Sequence, residues 1–147
     1  FANTPRSTGK SKNWESFTAE TDQGKICFAQ TLPTRRAPAA VKRDKSKLFV
    51  TFRPSENIKD EISITSGHAY KASTVTAKSG KRSYSFFSKE NFAWILDDQE
   101  EKKFIQLMKK ATDVIVKART VKGAETTDHY SMMGFTKAYN TAKKNCS

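Results

Sequence analysis

Cysteine is scarce in this chain: two residues in 147, far apart at Cys27 and Cys146. With no C-x-x-C, and only the scattered His68 and His129 as imidazoles, the ligand spacing of a zinc site is missing. The six glycines build no phosphate-cradling loop, and neither G-x-S-x-G nor H-E-x-x-H occurs. No metal, cofactor or catalytic residue is expected. Long apolar runs are also lacking, none approaching the roughly 18 residues of a membrane span, so no transmembrane segment is expected. Acids are the minority charge, 15 against 27 Lys and Arg, which leaves a net +12. That balance directs attention to acidic partners.

What is present suits a folded protein: 36% of residues are hydrophobic and ten are Phe. The length fits one domain. Residues 1–13 hold Pro, Gly and polar groups without period and are expected to form a loose arm, with the single domain spanning 14–147. "WESFTAET", "KICFAQTL", "KLFVTFR", "EISIT", "TVTA", "RSYSFF", "DVIVKAR" and "ETTDHYSM" are about eight short strands. In "KLFVTFR" Leu48, Val50 and Phe52 alternate onto one face. The stretch from Pro33 to Lys45 is expected to be a basic loop without strand character.

Two segments have helical period instead. "DDQEEKKFIQLMKKA" begins in acids and ends in lysines, complementing the helix dipole, and Phe104, Leu107, Met108 and Ala111 make one apolar stripe. This helix is expected near 98–111. A second, near 134–146, carries Phe135, Ala138, Tyr139 and Ala142 at the same spacing. Cys146 lies eleven residues after Phe135, almost three turns on, so it falls on the stripe that faces the body. The predicted fold class is mostly β: an antiparallel sandwich or half-open barrel with two packed helices.

The tail "VKARTVKGAETTDHYSMMGFTKAYNTAKKNC" resembles the closing signature of the invasion-associated locus B family of alphaproteobacterial envelope proteins. Gly123, Thr126, Asp128, Tyr130, Ser131, Gly134, Phe135 and Cys146 fit it. Trp14, "KICFAQTLP", "VTFRP", Gly67 with Tyr70, and "AWI" at Trp94 fit upstream in the same order. Lys122, Ala124 and Met132 depart from it. The resemblance implies export to the periplasm or envelope and no catalytic mechanism; the family name comes from host-cell entry by a pathogenic member.

The cysteines have two readings. Exported chains meet oxidising conditions, which favours a Cys27–Cys146 disulfide; the alternative is two buried thiols acting as small hydrophobes. The first residue, Phe1, is consistent with a signal peptide removed before it. His129 and Ser131 share a strand face but are splayed about 7 Å apart, too far for a nucleophile–base bond. Asp128 is expected to accept hydrogen bonds, and Tyr130 to be core with its hydroxyl anchored. Basic residues cluster at Arg35–Arg36, Lys42 to Lys47, Lys78 to Arg82 and Lys143–Lys144. Tyr84 and Phe86 near the third cluster suggest a nucleic-acid platform, or else simply face the core.

The reading is therefore an exported, non-enzymatic, periplasmic or secreted binding module meeting an acidic envelope polymer or protein partner, with any polyanion binding diffuse and salt-sensitive. Two alternatives stand beside it. One is a carbohydrate-active or other hydrolase using carboxylates such as Asp128 and Glu125. The other is a basic nucleic-acid-binding protein, although no recognised motif for one is present.

Overall fold

The structure, a computed structural model, describes residues 4–147. Twelve strands are present among them: β1 Arg6–Ser11, β2 Trp14–Thr21, β3 Gly24–Thr31, β4 Arg35–Ala37, β5 Lys47–Arg53, β6 Ile58–Thr65, β7 Thr76–Ser79, β8 Arg82–Ser85, β9 Phe87–Lys89, β10 Phe92–Trp94, β11 Asp113–Arg119 and β12 Glu125–Ser131. Helix α1 spans Asp98–Lys110 and α2 spans Phe135–Asn145. All strand pairs among the described residues are antiparallel. They form a seven-stranded sheet ordered β1-β2-β3-β5-β6-β10-β9 and a five-stranded sheet ordered β4-β12-β11-β7-β8. Neither sheet closes, so of the two expected architectures the sandwich is the one formed.

Three segments depart from the sequence expectation. The arm contains β1, which pairs with β2 from Arg6↔Thr18 to Ser11↔Trp14 through an irregularity between Ser7 and Gly9. Its polar, Gly-containing sequence suits an edge strand, where one backbone side and both faces can stay wet. The start of that arm, residues 1–3, lies outside the described residues. In the basic loop, Arg35–Ala37 adds β4 to the edge of β12. The expected strand "RSYSFF" divides between β8 of the small sheet and β9 of the large one, and β10 follows, taking the strand count past eight.

Alternation explains the core. Inward residues of the large sheet (Trp14, Cys27, Ala29, Leu48, Val50, Phe52, Ile62, Ile64 and Ala93) are buried with Val114, Val116, Ala118 and Tyr130 of the small sheet. Both helices close the same core. Phe104 of α1 packs edge-on against Tyr84 and Phe86, with ring centroids 5.2 and 5.6 Å away. Asp97 caps α1 by accepting from the Gln99 and Glu100 amides at 2.8 and 3.2 Å. In α2, Phe135 meets Trp14 at 4.8 Å and Tyr139 meets Phe52 at 5.5 Å.

The Trp14 strand, Cys27 and the tail, three of the segments that resemble the family signature, meet at this junction. Trp14 donates its indole N–H to the Ser131 carbonyl at 2.9 Å, and the Asn13 amide donates to the Met133 carbonyl at 3.1 Å. Gly134 turns the chain from β12 into α2 at φ 93°, and a side chain there would collide with the Ser11 carbonyl. Glycine is required on both counts. Cys146, the C-cap of α2, is bonded to Cys27 with α-carbons 5.9 Å apart, an ordinary disulfide span. The two-thiol alternative is thereby set aside.

Candidate functional site

Outward alternation on the large sheet has a different character from inward. In β5, Lys47, Phe49, Thr51 and Arg53 point away from the core; so do Ile26, Phe28 and Gln30 of β3 and Glu61, Ser63 and Thr65 of β6. Register places these in rows. Trp94 lies opposite Ser63, Ser63 opposite Phe49, and Phe49 opposite Gln30. In the next row Glu61 faces Thr51, Thr51 faces Phe28, and Phe28 faces Phe17.

Five rings from four strands, β2, β3, β5 and β10, form a continuous band. Phe17 stacks on Phe28 at 5.1 Å, Phe28 is 6.4 Å from Phe49, Phe49 is 6.4 Å from Phe92, and Phe92 stacks on Trp94 at 6.2 Å. Neither α1 nor α2 covers it; both are on the core side. The band floors a groove of about 840 Å³, within the usual range of small-ligand sites. Phe92 remains 40% exposed.

One wall of the groove is the segment between β4 and β5, and a buried ion pair fixes it. Arg43 donates to both carboxylate oxygens of Asp128 at 2.9 and 2.6 Å, with side-chain exposures of only 3% and 1%. The same guanidinium donates to the Ser66 carbonyl at 3.0 Å and to Ser46 Oγ at 3.2 Å. The Asp44 amide donates to the Gly67 carbonyl at 2.8 Å. Gly67 sits at φ 78° so close beneath Asp44 that any side chain would strike the Asp44 backbone. With a fifth contact to the Ala37 carbonyl at 3.4 Å, the charge of Arg43 is spent on holding the loop. Lys45 and Lys47, carried by that loop and the start of β5, make no ion pair among the described residues.

Charge along the groove is uneven as a result. Five basic residues line it, Arg36, Arg43, Lys45, Lys47 and Arg53, against Asp44 and Glu61. Arg43 is matched by Asp128, and Arg53 by Glu61 at 3.2 Å. Arg36 donates to the Asp44 carbonyl at 2.5 Å and keeps part of its side chain exposed. Arg36 also lies 3.9 Å from Asp128, an acid it shares with Arg43, so the cations without an ion pair among the described residues are Lys45 and Lys47, and with Arg36 they outnumber Asp44 at this end. Two of the four basic clusters in the sequence meet here; Lys78 to Arg82 and Lys143–Lys144 lie elsewhere.

Other candidate residues do structural work. Tyr84 and Phe86 are buried against Phe104, so "RSYSFF" offers no stacking platform. His129 contacts Arg35 at 3.2 Å, while Ser131 Oγ accepts from the Met133 amide at 3.1 Å. His68 is held between Thr126 Oγ1 at 3.0 Å and the Ala69 carbonyl at 2.9 Å. Tyr130 is buried as expected, but its hydroxyl lies beside Ser46 outside good hydrogen-bond geometry, so the anchor is not made. Glu125 and Asp128 project to opposite faces of β12, Glu125 meeting Arg119 at 3.7 Å in solvent. They do not form a carboxylate pair. Glu101 of α1 accepts from the Ile62 amide at 3.1 Å; burial pushes its carboxyl up to about 7. No group of three or more His, Cys, Asp or Glu among the described residues is arranged to hold a metal.

The aromatic band went unread in the sequence because each strand contributes one or two rings. Phe49 is simply the odd member of "KLFVTFR", and Phe28 the odd member of "KICFAQTL". The available signal was parity: both oppose the apolar face of their own strand, as do Phe92 and Trp94 about Ala93.

No protein-family model and no curated protein matches the sequence. Among solved structures, the crystal structure of invasion associated protein b from Bartonella henselae matches with a TM-score of 0.66 at 11% sequence identity. The match covers 95% of this chain and 96% of that one. Two chains so different in sequence share one fold along almost their whole length.

Proposed function

We propose that the chain is an exported, non-enzymatic binding module, related to the invasion-associated locus B proteins, whose uncovered sheet face engages an acidic partner at the cell envelope. The observation that carries the reading is the groove on the seven-stranded sheet: an aromatic floor left bare by both helices, with its free cations at one end. Exposed apolar area of this kind is unusual unless something covers it. The fold shared with invasion associated protein b, the order of the signature-like segments and the Cys27–Cys146 bond support the family and the compartment. The +12 charge favours anionic partners.

Osmotic shock of native cells should release the protein together with periplasmic markers. Consistent recovery with cytoplasmic markers would remove the exported reading.

A further inference from the structure

The chemistry of the groove narrows the partner. Between the rings lie polar side chains that the protein itself leaves unused. Thr51 and Ser63 are each only 3% exposed and line the groove from β5 and β6, and Gln30 lies next to Phe49. Among the described residues, none of these three side chains makes a hydrogen bond. Neither hydroxyl oxygen is sealed away without a partner, so two of them set between rings, beside a carboxamide, are open to a partner in the groove.

We propose, resting on the reading of this face as the binding surface, that the groove takes an acidic glycan: sugar rings over Trp94, Phe49 and Phe92, and an anionic group at Lys45, Lys47 and Arg36. A pyranose presents just these two chemistries. Its axial C–H groups form a flat apolar patch that fits an aromatic face, whose π cloud is electron-rich. Its equatorial hydroxyls both donate and accept, matching Thr51, Ser63 and Gln30. A uronate or sugar phosphate supplies the charge for the lysine end. The polarity of the groove argues against a nucleic-acid strand. A strand carries a phosphate at every unit and calls for cations along its whole path, whereas here they gather at one end and Arg53 is already paired with Glu61.

Trp14 is fully buried and Trp94 lines the groove, so indole fluorescence in the intact chain reports on the site. Four probes of matched length separate the possibilities: oligogalacturonate, a phosphate-bearing oligosaccharide, maltoheptaose and oligo-dT. At least one acidic sugar should change the Trp94 emission saturably, and maltoheptaose should bind about fivefold or more weaker for want of the lysine contacts. Phe49→Ala should weaken the acidic sugar by about tenfold at unchanged melting temperature, since its ring is not part of the core. Lys45→Ala with Lys47→Ala should bring the acidic sugar down to the maltoheptaose level and flatten its salt dependence. Oligo-dT binding more tightly than every sugar, or neither acidic sugar binding, would overturn the glycan assignment. If Phe49→Ala then weakened oligo-dT or another polyanion, the face would still be the binding surface for a different partner. Variants that bind every probe like the wild type would overturn both.

Discussion

Cys146→Ser should lower the melting temperature by about 10 °C, the largest effect expected of any single change in this chain. The bond closes a loop of 119 residues, which in the chain-entropy model is worth roughly 5 kcal/mol, with measured gains usually smaller. For a domain of this size each kcal/mol corresponds to about 2–4 °C. The location magnifies the consequence. Helix α2 ends the chain, and chain ends fray unless tied down; its buried side chains are Phe135, Ala138, Tyr139 and Ala142, two of them small. Without the bond, the turn around Asn145 should open first, so protease should cut within the last dozen residues before the rest. Reductant should reproduce the effect in the wild type and add nothing to the variant. Two free thiols in unfolded, unreduced protein would contradict this account of the tail.

Asp128→Asn should be nearly as damaging, by a different route. Removing one member of a buried ion pair leaves the other charged and unsatisfied, at about 3–5 kcal/mol. Arg43 has no alternative acid within its pocket: its other acceptors are the Ser66 and Ala37 carbonyls and Ser46 Oγ. A fall of about 10 °C is therefore expected. The double change Arg43→Met with Asp128→Leu should recover at least half of it, because an apolar pair of similar volume carries no desolvation penalty. Because Arg43 also fixes the loop that carries Lys45, the double variant should stay folded yet bind polyanions less well. A melting temperature for Asp128→Asn within about 1 °C of the wild type would show that the pair does not hold the loop.

These two features differ in how far the residues alone disclose them. The pairing of Cys146 follows from local geometry, since a helical stripe from Phe135 places it inward and only Cys27 is available. The strands follow from period two wherever one face is apolar, as in "KLFVTFR" and "DVIVKAR". Arg43 is opaque by the same logic. It sits among Lys42, Asp44 and Lys45 in a segment without period, and nothing local says that its side chain is buried 85 positions away from its acid. β1 and β4 are likewise silent, because edge strands need no apolar face. The groove depends on register between strands far apart in sequence: Trp94 meets Phe49 only through Ser63 of the strand between them. Single-strand patterns cannot encode that neighbourhood.

The buried β12–α2 junction and the groove divide the labour. Trp14, Asp128, Gly134, Phe135 and Cys146 lock the β12–α2 junction to the opposite sheet and to the loop beneath Arg43. Their contacts are inside the protein. The groove lies on the other side of the large sheet.

Amide-resolved NMR titration of the intact protein with a sulfated polyanion at low salt tests that division most directly. Chemical-shift changes should concentrate at Phe28, Arg36, Lys45, Lys47, Phe49, Thr51, Ser63 and Trp94, the residues lining one groove. Changes centred instead on Lys78 to Arg82 and Lys143–Lys144, or spread evenly over the basic surface, would contradict the claim that the uncovered sheet face is where this protein binds.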